Sequence, residues 1–259
     1  MQTVLFHSTI FGPIHSRRLG VSLGINLCPN DGKVCTFDCL YCEAGFNAQG
    51  PGTTGFPSRE EVARDLEAKL AGMKEAGSPL DVITFSGNGE PTVHPDFPGV
   101  IEDTLRIRDK YYPEAKVSVL SNSTRIDRPE IFKALLEVDN NILKLDSAID
   151  STIKKLDRPT LPHFSAEKVI PELQRFGKKC IIQTMILRGE YDGEHIDNST
   201  PAEINALIEA YRAISPAEIM IYSIDRQTPA RNLVKVPREE LEAIAARITA
   251  ETGIAVQVA

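Results

Sequence analysis

The sequence has no tryptophan, and aromatic residues make up only 6% of its 259 residues. It also lacks an apolar run of about eighteen residues, the length that a membrane-spanning helix needs. The first residues do not combine a basic head, an apolar stretch and a small-residue cleavage site, as a signal peptide does. We therefore expect a cytoplasmic protein that has no contact with a membrane.

An excess of basic charge is missing as well. The chain has 36 acidic and 29 basic residues, which gives a net charge of −7. This balance argues against a broad nucleic-acid-binding face, although it leaves room for a local basic patch. Cysteine is scarce and odd in number, with five residues. In a reducing compartment, an odd number of cysteines argues against a disulfide framework and favours metal binding or thiol chemistry.

Short apolar runs alternate with longer segments of helical period from Val21 onward. Runs rich in β-branched residues that end in turn formers predict strands, and these lie at 21–27, 81–86, 116–121, 142–146, 180–187, 217–224 and 254–258. The segments between them predict helices, and these lie near 58–76, 98–111, 128–137, 165–177, 200–214 and 237–252.

Strands that alternate with helices predict an α/β fold with a parallel sheet, and six such units suffice for a partial (β/α)6 barrel in the style of the eight-unit barrel. We expect a single domain, with an N-terminal segment 1–20, the barrel at 21–228 and a C-terminal helix and strand at 229–259. An open, doubly wound sheet is the alternative. The connections after the strands are the longer ones, so the carboxyl ends of the strands should form the working face.

The first long connection carries three cysteines in eight residues, Cys35, Cys39 and Cys42, with the spacing C-x3-C-x2-C. Thiolates at such short spacing can hold an iron–sulfur cluster. Three ligands would leave one iron of a four-iron cluster open to a substrate or cofactor. A zinc site, with Cys28 as a fourth ligand, and three buried reduced cysteines are the alternatives.

A second candidate motif follows the second predicted strand, and it reads Ser86, Gly87, Asn88, Gly89 and Glu90. Glycines at these positions would let the backbone approach a ligand closely. The carboxylate of Glu90 could accept a charge-assisted hydrogen bond from an ammonium group. Taken alone, a Gly-Asn-Gly run is more often a plain turn at the end of a strand.

Together, the two motifs resemble those of the radical S-adenosylmethionine (SAM) superfamily. The aromatic Tyr41 directly precedes the last cysteine, and Ser86–Glu90 stands where that superfamily carries a Gly-Gly-Glu motif. The resemblance covers about residues 20–228. It implies that one [4Fe-4S] cluster on the three cysteines binds SAM through its open iron. Reductive cleavage of SAM would then yield a 5′-deoxyadenosyl radical that abstracts hydrogen from a substrate.

The same resemblance implies where the cofactor would be held. Candidate SAM contacts are Tyr41 and the Ser86–Glu90 motif, together with polar residues at or near the ends of later strands, Asn122, Asp146, Ser147 and Gln183. Several of these, however, could equally be ordinary turn or helix-cap residues.

A narrower likeness is to the branch of the wyosine-pathway tRNA imidazoguanosine synthases. It rests on Gly12–Gly20, on the segment around Cys35, and on Tyr222–Arg226. Those synthases hold a second cluster and use a lysine that is thought to capture pyruvate. Only Cys28 and Cys180 are left here for further ligands, so we expect a single cluster, with a separate flavodoxin or ferredoxin as the electron donor.

The substrate is the least defined part of the prediction. Arg17 and Arg18 are candidates for binding its phosphate or carboxylate groups. Tyr222, Asp225 and Arg226 are candidates for catalysis at the rim of the barrel. We expect a tRNA nucleoside or a small molecule, and no role can be assigned to Lys33 or Lys144. The alternatives are an activase that acts on a glycyl-radical enzyme and a zinc-bound RNA-binding or scaffold protein without enzymatic activity.

Overall fold

The computed structural model describes residues 4–16 and 20–259, and this part of the chain contains eleven strands and seven α-helices. The strands are β1 (Ile10–Ser16), β2 (Gly20–Ile25), β3 (Val82–Phe85), β4 (Lys116–Ser121), β5 (Asn140–Lys144), β6 (Ile181–Met185), β7 (Leu187–Tyr191), β8 (Glu194–Asp197), β9 (Glu218–Tyr222), β10 (Asn232–Lys235) and β11 (Val256–Val258). The helices are α1 (Arg59–Glu75), α2 (Phe97–Tyr111), α3 (Pro129–Glu137), α4 (Asp150–Leu156), α5 (Ala166–Gln174), α6 (Pro201–Ile214) and α7 (Arg238–Thr252).

Six strands, β2, β3, β4, β5, β6 and β9, pair in parallel in that order. The strand β11 adds a further parallel strand beside β9, and β1 pairs antiparallel with the opposite edge at β2. Helices connect the parallel strands. The fold is therefore the predicted α/β partial barrel, with α7 and β11 as a short C-terminal extension. All six parallel strands end on the same face, where residues 28–57 form a loop that we call the cysteine loop.

The main hydrophobic core lies between the parallel strands and the helices. Alternate strand residues such as Leu23, Ile83 and Val117 are buried in it. Helix α1 shows how the local sequence builds this layer. It begins at a capping box in which Ser58 and Glu61 satisfy each other's backbone amides, and it buries residues at helical spacing, Val62, Leu66, Leu70 and Met73.

The strand β1 was not predicted, because residues 1–20 were read only as an N-terminal segment. The segment contains Gly12 and Pro13, which weaken a strand pattern, and its register with β2 shifts between Phe11 and Ile14. Proline is tolerated at the edge of a sheet because an edge strand leaves some amides unpaired. The edge position of β1 therefore explains why the composition of this segment is atypical.

The prediction that residues 180–187 form one strand is wrong. The strand β6 ends at Met185, and β7 begins a separate three-stranded antiparallel sheet in the order β10, β7, β8. The turn between β7 and β8 contains Asp192 and Gly193, both with positive φ. An Asp-Gly pair is a recognised hairpin signal, so the sequence did carry evidence for this turn.

Helix α4 was also not predicted. It has only seven residues, and just two of them, Ile153 and Leu156, are buried. A stripe this short has no clear periodicity. Within the described residues, no helix is both long enough and apolar enough to span a bilayer.

Candidate functional site

The cysteine loop lies at the carboxyl ends of the parallel strands. The side chain of Cys39 is buried, while those of Cys35 and Cys42 are partly buried. The backbone of the loop is attached to the end of α4, because the amide of Leu40 donates to the carbonyl oxygen of Leu156 at 3.0 Å. Burial of Phe37, Leu40 and Tyr41 in a second hydrophobic cluster adds to this attachment. The three cysteines are therefore held on an ordered part of the loop.

Each of the three thiols lies within the electrostatic influence of the others. Burial and the charge of Glu90 together raise the pKa of Cys35 to about 12, although Lys33 acts in the opposite direction. Burial and the charge of Asp157 raise the pKa of Cys39 well above its usual value. The raised pKa values keep Cys35 and Cys39 protonated without a metal, so that binding of a metal centre would release protons from them.

The donors around the thiols suit a cluster of several irons. The amide of Phe37 and the side-chain nitrogen of Asn122 both lie 3.5 Å from the Sγ atom of Cys35. Such donors stabilise a thiolate. Within residues 4–16 and 20–259, no three histidine, cysteine or acidic side chains converge on one point as a single metal ion requires. Three cysteine thiols beside N–H donors are a donor set that suits an iron–sulfur cluster.

The glycine turn, residues 86–90, packs directly against the cysteine loop. Gly89 has a φ of +154°, and a Cβ atom placed on it would lie 1.8 Å from the carbonyl oxygen of Val34, the residue before Cys35. The two segments form a parallel bridge, in which the amide of Val34 donates to the carbonyl oxygen of Asn88 at 3.1 Å. Glycine at this position therefore allows contact between the two predicted motifs.

The carboxylate of Glu90 is buried among hydrogen-bond donors. Its Oε1 accepts from the hydroxyls of Thr92 and Ser121 at 2.6 and 2.8 Å, and its Oε2 accepts from the amide of Asn122 at 2.7 Å. Burial raises the pKa of Glu90, whereas these donors lower it. The carboxylate thus joins the ends of β3 and β4, and Oε2, with one bond, has capacity for another donor.

Gly87 and Asn88 contact the turn that follows β2. A Cβ atom on Gly87 would lie 2.4 Å from the Oδ1 atom of Asn26. The same oxygen accepts from the amide of Asn88 at 3.0 Å. Asn88 is fully buried, and its side chain bonds to backbone groups of Phe6 and Pro29. Ser86 is partly buried, and its amide donates to the carbonyl oxygen of Ile25.

A buried polar cluster connects the cysteine loop to the ends of β5 and β6. The ammonium of Lys144 donates to the hydroxyl of Tyr41 and to Oδ2 of Asp146, the latter at 3.2 Å. The hydroxyl of Tyr41 donates in turn to Oδ2 of Asp146. The other carboxylate oxygen accepts from the amide of Met185 at 2.8 Å. We call Tyr41, Lys144 and Asp146 the lumen cluster.

Neighbouring groups extend the lumen cluster toward the thiols. Asp157 Oδ1 lies 3.5 Å from the hydroxyl of Tyr41 and 3.6 Å from the Sγ atom of Cys39. Burial and the charge of Asp146 raise the pKa of Asp157 well above its usual value. Tyr222, at the end of β9, lies close enough for its charge to raise the pKa of Lys144. Sequence reasoning missed Asp157, because nothing in its local pattern distinguishes it.

The charge state of Lys144 follows from this environment. Burial acts to lower the pKa of the ammonium, but the carboxylate of Asp146 outweighs that effect, and the net pKa is raised well above its usual value. Lys144 is therefore held as a hydrogen-bonded cation rather than as a free amine. A role could not be read from the sequence because its partner Tyr41 lies on a distant segment.

Replacing Lys144 with methionine should lower the free energy of unfolding by about 3 kcal/mol, because it leaves the buried carboxylate of Asp146 without its cation. Denaturant unfolding of the metal-free protein measures the effect. The matched control is Arg238→Met, which breaks an exposed pair with Glu242 at 2.8 Å and should change stability by less than about 0.5 kcal/mol. Equal effects of the two variants would contradict a structural role for the buried pair.

Three further predicted cofactor residues also lie on this face. Gln183 is buried on β6 on the opposite side from the core residue Ile182. The side-chain nitrogen of Asn122 donates to the hydroxyl of Thr36 at 2.9 Å, which joins β4 to the cysteine loop. The hydroxyl of Ser147 donates to Glu203 at 2.6 Å and lies within an internal turn.

The predicted substrate and catalytic residues are spread over the rim. The exposed Arg226 pairs with Glu43, the residue after Cys42, at 2.6 Å. Asp225 pairs with Lys235 of β10 at 2.8 Å. Tyr222 lies beside Lys144 of the lumen cluster. Arg17 and Arg18 lie outside the described residues.

The two remaining cysteines lie at opposite ends of the barrel strands. Cys28 is buried after β2, where burial and the charge of Cys35 raise its pKa. Cys180 is buried just before β6, and its Sγ donates to the carbonyl oxygen of Gly177 at 3.3 Å. Lys33 is buried inside the cysteine loop, where its ammonium donates to the carbonyl oxygen of Gly45 at 2.7 Å. It therefore closes the loop on itself.

Arg158 attaches the cysteine loop to β7, and the sequence did not predict it. Its guanidinium lies 5.0 Å from the ring centroid of Phe46 and 5.3 Å from that of Tyr191. The same group pairs with Asp38 at 3.2 Å.

The structure thus defines a partial α/β barrel that carries a three-cysteine loop at the carboxyl ends of its strands. Residues 30–199 match the family model described as the Radical SAM superfamily. The match covers well over half of the chain, and the chain therefore belongs to this superfamily. Membership implies an iron–sulfur cluster and SAM as cofactors.

Sequence relatives include a protein named GTPase Obg from Brachyspira hyodysenteriae, with 28% identity over 238 residues. That match covers 90% of this chain and 32% of the relative. A UPF0026 protein from Methanocaldococcus jannaschii is 31% identical over 181 residues, covering 68% of this chain and 53% of the relative. The chain thus spans between about a third and a half of these two proteins.

Similar solved structures support the fold. A radical SAM methyltransferase from Sphaerobacter thermophilus has a TM-score of 0.65 and 16% identity, over 92% of this chain and 65% of that one. TYW1 with a bound lysine–pyruvate adduct has a TM-score of 0.63 and 17% identity, over 90% and 75%. Streptococcus suis SuiB bound to SAM has a TM-score of 0.58 and 14% identity, over 91% and 46%.

Proposed function

We propose that the chain is a radical SAM enzyme that holds one [4Fe-4S] cluster on Cys35, Cys39 and Cys42. The observation that carries this proposal is the contact between the two motifs, in which Gly89 packs on Val34 directly before the first cysteine. The three cysteines would hold the cluster, which when reduced would supply the electron for cleavage of SAM to methionine and a 5′-deoxyadenosyl radical, and this radical would abstract hydrogen from the substrate.

The residues of the chain would hold SAM from three sides. We assign Oε2 of Glu90 to the ammonium of the methionyl group, because this oxygen has one protein donor and faces the end of β4. We assign Tyr41, Asp146 and Asn122 to the nucleoside half, with Gln183 on the lumen side. The backbone of Ser86 and Gly87 would line the methionyl half. Ser147 would support Asp146 through the turn that it forms.

A single cluster agrees with the positions of the spare thiols. Cys28 and Cys180 lie at opposite ends of the barrel strands, and two cysteines so placed cannot complete a second set of ligands. We propose a flavodoxin or ferredoxin as the electron donor. The reduced thiols of the cysteine loop also suit the cytoplasm, where cysteines are kept reduced.

The substrate that we propose is a tRNA nucleoside or a small molecule. The support is the resemblance of Gly12–Gly20 and Tyr222–Arg226 to the wyosine branch. Lys144 is held as a cation by Asp146, so we do not assign it the covalent capture of pyruvate. Tyr222 has the best position for catalysis because it lies beside the lumen cluster. We keep Asp225 and Arg226 as candidates for catalysis at the rim, and we assign Arg17 and Arg18 to the binding of anionic groups.

Anaerobic reconstitution of the protein tests this function. We expect about four irons and four sulfides per chain, as one cubane cluster requires. Reduction with dithionite in the presence of SAM should release methionine and 5′-deoxyadenosine in equal amounts. One zinc per chain, no iron absorbance and no 5′-deoxyadenosine would overturn the proposal. The variant Cys28→Ala should keep its iron, and loss of the cluster there would contradict the assigned ligands.

A further inference from the structure

We propose that the N-terminal strap, residues 4–9, holds the cysteine loop in the conformation that binds its cofactor. Asn88 is the positioning residue that holds the strap in place. The inference rests on the proposed function, because it concerns the loop that we assign to the cluster. It goes beyond that function by giving a role to a segment that lies outside the six barrel units.

The side chain of Asn88 is occupied by the backbone of the strap and of the turn after β2. Its Oδ1 atom accepts from the amide of Phe6 at 2.8 Å. Its Nδ2 atom donates to the carbonyl oxygens of Phe6 at 2.8 Å and Pro29 at 2.9 Å. Both N–H groups and the oxygen therefore have partners in the protein, and Asn88 acts on the site through these backbone groups.

Three further contacts hold the strap. The amide of Val4 donates to the carbonyl oxygen of Glu43 at 3.0 Å, and the amide of Asn26 donates to that of Thr9 at 2.8 Å. The ring of Phe6 stacks on that of Phe11, with 3.8 Å between their centroids. The strap is thus attached at its beginning, its middle and its end.

These contacts reach both ends of the cysteine motif. Glu43, whose carbonyl oxygen accepts from the amide of Val4, directly follows Cys42. At the other end, the carbonyl oxygen of Asn88 accepts from the amide of Val34, which directly precedes Cys35. The strap and Asn88 therefore connect the residues that flank the first and the last cysteine. A site whose ligands are already held in the binding geometry by such supporting contacts binds its metal centre more tightly.

The start of the strap can be loosened without disturbing the core. Val4 is 44% exposed, and proline at this position removes the amide that donates to Glu43 and fixes the φ angle of this residue. The variant Val4→Ala is the matched control, because it shortens the side chain and keeps the amide. The variant Asn88→Ala removes the central attachment and tests the positioning residue itself.

Chymotrypsin treatment of the metal-free protein provides a readout that does not depend on activity. Cleavage after Leu5 or Phe6 should be about fivefold faster in Val4→Pro than in wild type, since one hydrogen bond is lost. Asn88→Ala should show a larger increase, and Val4→Ala should match wild type. After reconstitution, iron should dissociate from Val4→Pro and Asn88→Ala faster than from the other two proteins, with the binding constant for SAM unchanged in molecules that retain their cluster.

Different results separate the possible failures. Equal cleavage of wild type and Val4→Pro would overturn the attachment of the strap to the loop. Normal iron retention in Asn88→Ala, combined with weaker SAM binding, would overturn the positioning role and make Asn88 a direct SAM ligand. If wild type itself retained no iron, the proposed function would fail, while the cleavage rates would still decide whether the strap is attached.

Discussion

Replacing Cys35, Cys39 or Cys42 with alanine should reduce the release of 5′-deoxyadenosine from SAM to the level of a protein-free control. A cubane cluster with two cysteine ligands left would lose the geometry that exposes one iron, so each single change should have nearly the full effect. Iron and sulfide analysis after anaerobic reconstitution, followed by quantification of 5′-deoxyadenosine, measures the result.

The matched control for these variants is Cys180→Ala. Cys180 is as well buried as Cys39, but it precedes β6 at the far end of the barrel. We expect this variant to keep its iron and its SAM cleavage. If a cysteine-loop variant retained full SAM cleavage, or if Cys180→Ala lost its cluster, the assignment of the three ligands would be wrong.

Replacing Gly89 with alanine should lower the free energy of unfolding by about 3 kcal/mol and prevent stable loading of the cluster. A Cβ atom at this position would meet the carbonyl oxygen of Val34 at 1.8 Å, so either the glycine turn or the cysteine loop must move. The backbone angle of Gly89 adds strain, because residues with a side chain rarely adopt it. Denaturant unfolding and iron content measure the two effects.

A glycine elsewhere in the chain provides the control. Gly72 is exposed in α1, and a Cβ atom there would meet no atom within 4 Å. The variant Gly72→Ala should raise the free energy of unfolding by about 1 kcal/mol, since alanine favours a helix more than glycine does. If Gly89→Ala were as stable as wild type and bound iron normally, the close contact between the two motifs would not be required.

The sequence predicted the parallel strands and most helices because their patterns are local. Helix α1 repeats its apolar residues at helical spacing, and β4 was predicted over the bounds that it has, 116–121. It did not predict β1 or the β7–β8 hairpin. Both are stabilised by pairing at a sheet edge or in a separate sheet, which a pattern of apolar residues does not reveal.

The same distinction between local patterns and distant contacts applies to the candidate site. The spacing of the three cysteines and the Ser86–Glu90 motif could be read directly, because each is continuous in the chain. The partners of Tyr41 could not be read, since Lys144 and Asp146 lie more than a hundred residues away. Asn88 was predicted as a cofactor contact from its place in the motif, whereas its side chain bonds to Phe6 and Pro29.

By itself, the sequence determined the class of fold, the superfamily and the three candidate ligands of the cluster, because periodicity and short spacing are properties of neighbouring residues. Only the tertiary structure decided that Gly89 packs on Val34, that Tyr41 meets Lys144 and Asp146, and that the strap reaches Glu43. Each of these contacts joins segments that are distant in the chain, and the folded barrel alone determines which of them meet at the carboxyl ends of its strands.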